Sequence, residues 1–188
     1  MTTREEQRQL VIERLSRHLL DVGLAQASLR QLAAAAGVSD RMLLYYFSDK
    51  AEVMATALAS VAGQMTARFA EAIPAGILLP PNELVVRAAS FTAQDDMRRF
   101  MRLWIEVLAA AAKREEPFVT VAAQIMAGFQ QWVDQRLDVP PGTDREAVAA
   151  AIIALVDGLA LVEMCSGEII ATRAVAAIAS LFGGSAAR

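Results

Sequence analysis

Residues 28–50 read SLRQLAAAAGVSDRMLLYYFSDK, two short helical segments joined by a glycine and followed by a lone lysine. Ser28 opens the first segment and Gln31, three residues on, completes a capping box. Leu29, Leu32, Ala33 and Ala36 fall on one face. Gly37 is placed to close the helix in the left-handed conformation, with Val38 folding back as the apolar cap contact. Ser39 then caps the second segment, whose inner positions are Leu43 and Phe47. Helices this short bury little apolar surface and must lean on neighbours.

Working outward, Val11, Leu15, Leu19 and Val22 recur at spacings of three and four, which predicts an amphipathic helix from about Thr3 to Val22, ended by Gly23. Asp49 with Glu52 makes another capping box, opening a fourth helix from Lys50 to about Ile73. PAGILLPPN (74–82) is the clearest break in the chain. Beyond it, Asn82 caps a helix to about Ala93, and Asp95 begins one to about Arg114. Pro117 starts another that carries Phe118, Ile125, Phe129 and Trp132. Pro140-Pro141-Gly142 breaks the chain again. Thr143 with Glu146 forms a third capping box and opens a helix to about Cys165. The last helix spans about Thr172 to Phe182, and GGSAAR (183–188) is expected to fray. No segment alternates with period two for long, so the expectation is all-α, in about nine helices.

The bulk numbers bound the function. The chain has 188 residues, 55% of them hydrophobic, which allows a large core in one domain or two small ones. A net charge of −3 does not announce a nucleic-acid binder. Yet residues 1–50 hold seven Lys and Arg against six Asp and Glu, while the rest holds 11 against 15. One small face can therefore meet DNA without a diffuse basic field. One cysteine and one histidine leave no metal site or catalytic triad to propose, so neither a cofactor nor an enzyme is expected. His18, on the inner stripe of the first helix, reads as packed. The N-terminus lacks an apolar signal region, and the longest apolar run, Ala147–Val156, is ten residues where a bilayer span needs about 20. The expected location is the cytoplasm, with no membrane partner.

The capped SLRQLAAAAGVS, the Leu43…Tyr45-Tyr46-Phe47 ending and Asp49-Lys50 resemble the helix-turn-helix DNA-binding domain of the TetR family of bacterial transcriptional repressors. WIEVLAAAAKREEPF (104–118) adds a weaker likeness. In such a motif the second helix lies in the major groove. The resemblance implies that Ser28, Tyr46 and Lys50 contact phosphates, which fixes register without reading sequence. It places Asp40, Arg41, Met42 and Tyr45 toward the groove, where an arginine can pair with guanine at about 1–3 kcal/mol of discrimination. Ser39 belongs to the same surface, and Arg30 is taken to reach the backbone or a base edge. Arg4 and Arg8, in a flexible start, are either further phosphate contacts or a solvated face. Tyr45 and Tyr46 have a second reading, packing against the first and fourth helices, and Arg41 has one too, pairing with Asp40 or Asp49 in solvent. Leu44 stands where the family usually has a polar contact, and Arg41 where glycine or proline is common. The operator is therefore not borrowed from relatives.

The same resemblance divides the chain into a DNA-binding domain (1–50), a linking fourth helix (50–73) and a ligand-binding and dimerisation domain (74–188). The helix from Thr143 is apolar nearly all round and needs cover on every side. Paired with the final helix, it is expected to form a homodimer interface. Candidate pocket residues for an unknown small hydrophobic ligand are Phe91, Met97, Phe100, Met101, Trp104, Met126, Phe129, Trp132, Leu161 and Met164; a Met and aromatic stripe of this kind is equally the pattern of plain core. Glu163 points inward toward a cationic or hydroxylated ligand, or sits solvated at the helix edge. Asp95, Arg98, Arg99, Arg102 and Glu106 read as a solvent face. The resulting expectation is a ligand-responsive repressor on a palindromic operator, with the fourth helix as lever. An all-α hydrophobic-ligand carrier without DNA binding, and a DNA-binding activator or ligand-independent dimer, remain the alternatives.

Overall fold

The computed structural model describes residues 3–183. Among them are nine α-helices: α1 Arg4–Val22, α2 Leu29–Ala36, α3 Asp40–Tyr46, α4 Lys50–Ala72, α5 Pro81–Thr92, α6 Asp95–Ala112, α7 Phe118–Asp134, α8 Arg145–Ser166 and α9 Glu168–Gly183. A single 3-10 turn, Leu24–Gln26, follows α1, and the β-structure among the described residues is one isolated bridge. The all-α expectation holds. Residues 184–188 of the tail expected to fray lie outside the described residues; Gly183 ends α9.

Helix boundaries differ from expectation where capping chemistry was misassigned. α5 begins at Pro81 behind Pro80 and has no side-chain cap, so Asn82 is its second residue and does not cap it. A proline there supplies a helical φ and gives up an amide hydrogen that has no partner in a first turn. α8 is capped by Asp144, whose carboxylate accepts the Ala147 N–H at 3.1 Å, and not by Thr143. α9 starts at Glu168, four residues early, because Gly167 alone makes the corner between α8 and α9.

The chain forms two compact units. The first comprises residues up to 65 together with 99–125. Its α1 buries Val11, Ile12, Leu15, Ser16, Leu19 and Leu20. Such a stripe removes several apolar side chains from water at about 1.5–3 kcal/mol each. Ser16 is tolerated in it because its hydroxyl reaches the Ile12 carbonyl at 2.8 Å. α1 packs on α2 and α2 on α3. The end of α1 is fixed from α6: the Glu106 carboxylate accepts the Leu24 N–H at 2.6 Å. A side chain at Gly23, where φ is +71°, would land on that carboxylate. Glu106 is therefore half-buried and structural, which corrects its reading as part of a solvent face.

The second unit comprises residues 66–98 and 126 onward, with α5, α8 and α9 packed on one another. Arg136, 2% exposed, ties it together. Its Nε donates to the Ile73 carbonyl at 2.6 Å and its Nη1 to the Trp132 carbonyl at 2.9 Å. Burial pushes its guanidinium below the usual range. The 74–82 break is zipped to the same place, with the Leu79 N–H on the Arg136 carbonyl and the Asp138 N–H on the Leu79 carbonyl, both 2.8 Å. α8 buries Ala149, Ile152, Ile153, Val156, Leu159 and Ala160. Its other side, with Ala147, Ala150, Ala151, Ala154, Leu161 and Met164, is exposed. By length and composition α8 is apolar enough to cross a membrane, and 33% of that stretch is buried. The ten-residue run Ala147–Val156 missed this stretch because Asp157 interrupts an otherwise apolar helix.

Candidate nucleic-acid interface

The turn between α2 and α3 is built as the residue pattern requires. Gly37 adopts φ 70° and ψ 30°. Its N–H bonds the Ala34 carbonyl at 3.1 Å and the Val38 N–H bonds the Ala33 carbonyl at 3.0 Å, the paired closure of a Schellman motif. Arg14 of α1 completes it, donating from Nη1 to the Ala36 carbonyl at 2.8 Å. A Cβ at Gly37 would lie 2.8 Å from that Nη1, so a side chain there would be strained by the backbone conformation and would displace the Arg14 guanidinium from its bond. Leu32, Ala33, Ala36 and Leu43 are all but fully buried at the crossing. The Ser28–Gln31 box is present in both directions, and the Ser39 hydroxyl accepts the Met42 N–H at 3.1 Å.

α3 is thereby held with one face outward. Asp40, Arg41, Met42, Leu44 and Tyr45 are exposed, and Tyr45 most of the large apolar ones at 56%. Among the described residues Arg41 makes no ion pair, so the expected rival pairing with Asp40 or Asp49 does not occur. Ser28, Arg30, Ser39 and Lys50 are exposed too. Tyr46 departs from the set. It is 7% exposed, and its hydroxyl donates to Gln7 Oε1 at 2.9 Å, the packing that its second reading describes.

At the head of α4, the Asp49 carboxylate accepts the Glu52 N–H at 2.8 Å. Glu52 answers one residue further back, accepting the Ser48 N–H at 2.6 Å. That bond holds the Glu52 carboxyl below its ordinary value of 4.5. Nor is the start of α1 a loose tail: a Thr3–Glu6 capping box fixes it, and Arg4 lies against α3.

The residues expected to line an effector pocket are divided between the two units. Phe91, Phe129 and Trp132 meet edge-on around Phe69, with ring centroids at 4.8, 5.8 and 5.1 Å. Phe69 was not foreseen as their hub. The Trp132 Nε1 is buried without a hydrogen-bond partner. Met126 is half-buried nearby in sequence on α7. Met97 is buried in the second unit, whereas Phe100, Met101 and Trp104 are buried on α6 residues of the first. Leu161 (45%) and Met164 (44%) are exposed on α8, away from the aromatic hub, because their side of the helix carries none of its core contacts. A cavity of about 220 Å³ lies between α5, α8 and α9, and none of the ten lines it. Glu163 does, and its carboxylate is held by Arg98 at 2.9 Å, so it is neither free nor solvated. His18 lies with Nε2 3.2 Å from the Gln26 carbonyl, a structural contact. No cluster of potential metal ligands occurs among the described residues.

Comparison with known proteins meets this geometry at both ends of the chain. Residues 15–57 match the family described as bacterial regulatory proteins, tetR family. Residues 84–182, more than half of the chain, match the BetI-type transcriptional repressor C-terminal family. The HTH-type transcriptional regulator PksA of Bacillus subtilis (strain 168) is 28% identical over 160 residues, 84% of this chain and 78% of that protein. Among solved structures, a TetR-family regulator from Cytophaga hutchinsonii superposes with a TM-score of 0.74 at 19% identity, covering 94% of this chain and 93% of its own. The multidrug binding protein EbrR, complexed with proflavin, gives 0.66 at 25% identity over 94% and 99%.

Proposed function

The chain belongs to the TetR family of bacterial transcriptional regulators, DNA-binding proteins and not enzymes, and from that premise we propose that it is a ligand-responsive repressor acting as a homodimer on a palindromic operator. The observation that carries this reading is the outward face of α3. Asp40, Arg41, Met42 and Tyr45 are exposed on a helix whose position is fixed by the Gly37 turn and the Ser39 cap. Arg41 offers a bidentate donor pair to a guanine, and Met42 and Tyr45 an apolar surface to thymine methyls. Ser28, Arg30 and Lys50 take phosphates around it. Lys50, exposed at the head of α4, brings a cation to a phosphate.

Residues 1–50 are the reading head, α4 the link, and residues 74–188 the effector and dimer region, working in the cytoplasm. Support for self-association through α8 and α9 is the outer side of both helices. Alongside the exposed α8 row, α9 leaves Ile169 78% and Ile170 43% exposed. Exposed apolar side chains on two helices packed on each other suit an interaction site. The aromatic hub at Phe69 supports a small hydrophobic effector, in line with the aromatic dye held by EbrR. Release from DNA requires the effector to prefer the DNA-incompetent conformation, since equal affinity for both shifts nothing.

The test is selection of binding sites from a random duplex library by the purified protein, followed by gel shift with the enriched duplex. The expected result is one inverted-repeat consensus, with half-sites about one helical turn apart or slightly more, shifted in a salt-sensitive way. Enrichment of no consensus, or shifts that are equal for all duplexes, would overturn it.

A further inference from the structure

Three consecutive aromatic side chains, Tyr45 and Tyr46 at the end of α3 and Phe47 just past it, are each met in order by a residue from one face of α1. The Arg4 guanidinium lies 4.7 Å from the Tyr45 ring centroid, and its Nη2 is 3.4 Å from the Tyr45 carbonyl. Gln7 Oε1 accepts the Tyr46 hydroxyl at 2.9 Å. The Arg8 guanidinium lies 5.0 Å from the Phe47 ring centroid. Positions 4, 7 and 8 share a helix face by their spacing of three and four. The face begins on a fixed turn, since Thr3 accepts the Glu6 N–H at 3.2 Å and Glu6 accepts the Thr3 N–H at 2.7 Å.

The middle and last of the aromatics are buried, Tyr46 at 7% and Phe47 at 2% exposure, and need no further restraint. Tyr45 is different. At 56% exposure its ring has little core around it. An exposed tyrosine ordinarily exchanges among its staggered rotamers. Here one side of the ring faces Arg4, and Tyr46 stands edge-on at 5.5 Å and 67°. A contact group ordered before binding loses less entropy when it docks.

We propose that this face of α1 is a template for the end of the reading helix, and that Arg4 is a positioning residue that sets the Tyr45 side chain for base reading. The proposal rests on the reading of α3 as the DNA-contacting helix, and its test separates the two. Arg4 acts through Tyr45, so removing it lowers the preference for the right sequence. A residue that only touches phosphate would lower affinity for all sequences alike.

The experiment has one arm without DNA and one with it. In the free full-length protein, Hα–Hβ couplings of Tyr45 measured by NMR should report one χ1 rotamer in the wild type and averaging in Arg4→Met. In the DNA arm, affinities for the selected duplex and a scrambled one are measured for wild type, Arg4→Met, Arg4→Lys, Tyr45→Ala and Arg4→Met/Tyr45→Ala. The ratio of the two affinities should fall about threefold to fivefold in Arg4→Met, the strength of an exposed cation–π contact. Arg4→Lys, which keeps a cation over the ring, should recover part of it. In the Tyr45→Ala background Arg4→Met should change the ratio no further. Unchanged Tyr45 couplings overturn the template. So does an Arg4→Met effect that is uniform across sequences or persists without Tyr45. Ordered Tyr45 couplings with no sequence preference in the wild type would instead sink the DNA-reading proposal and leave the template standing.

Discussion

α3 and α8 both turn apolar side chains to solvent, and the company those side chains keep is opposite. On α3, Met42 (39%), Leu44 (42%) and Tyr45 (56%) sit among Asp40 and Arg41 on a helix of seven residues. On α8 the exposed row is alanine after alanine on a helix of 22, continued by Leu161 and Met164. Interleaved donors, acceptors and rings suit a partner with a patterned edge, such as a major groove. A smooth small-residue row suits a second helix at close approach. The family assignment covers both ends of the chain, but the two faces answer to different chemistry and are broken by different substitutions.

The largest effect is expected on the smooth face. Ala154→Glu puts a charge where a partner helix would cover it, and an unpaired buried charge costs about 3–5 kcal/mol. Sedimentation equilibrium should show wild-type dimer and a variant whose association is weaker by two orders of magnitude or more. An unchanged mass would remove α8 from the dimer interface. Next comes the turn that aims α3. Gly37→Val forces a β-branched residue to a φ of 70° beside the Arg14 guanidinium and should cost about 2–3 kcal/mol in urea unfolding. Retained stability would mean that the turn is not the constraint described.

Smaller, and aimed at the patterned face, is Tyr46→Phe. It removes the hydroxyl that Gln7 accepts, and should lower stability by about 1 kcal/mol while leaving the ranking of DNA sequences intact. A general loss of DNA affinity at unchanged stability would restore Tyr46 to the phosphate contacts. The smallest effect concerns Glu52, whose carboxyl is held below 4.5 chiefly by the Ser48 N–H. A depressed folded value stabilises fully above the unfolded one and is lost as pH falls through the folded one. The stability gap between wild type and Glu52→Gln should therefore be constant near neutrality and close as pH drops below 4.5. A gap that persists in acid would assign the difference to geometry instead of charge.

Much of the reading head was legible because its grammar is local. Ser28 with Gln31, Gly37 with Val38, and Ser39 each act within three to five residues, and all three appear as the spacing predicts. What escaped was contact between elements far apart in the chain. Arg14 capping Ala36, Glu106 accepting Leu24 and Gln7 accepting Tyr46 span 22, 82 and 39 residues. A helical arginine or glutamine carries no local mark of such a role. The same limit explains the effector region. Phe91, Phe129 and Trp132 were on the expected list, yet their hub Phe69 and the buried Arg136 were not, since periodicity says which side of a helix is inward and not whom it meets. The exposure of Leu161 and Met164 was not legible for the related reason that α8 is apolar on both sides, so inward and outward look alike.

The central claim is that the protein reads DNA through the exposed residues of α3 and holds it through the head of α4. Fluorescence anisotropy with the selected duplex and its scrambled counterpart, on wild type, Tyr45→Ala and Lys50→Ala, tests it most directly. Tyr45→Ala should shrink the ratio of the two affinities by about tenfold, the low end of a base contact. Lys50→Ala should weaken both duplexes alike, keep their ratio and lower the salt slope by about one. Equal behaviour of the two variants, or a preserved ratio in Tyr45→Ala, would contradict the account.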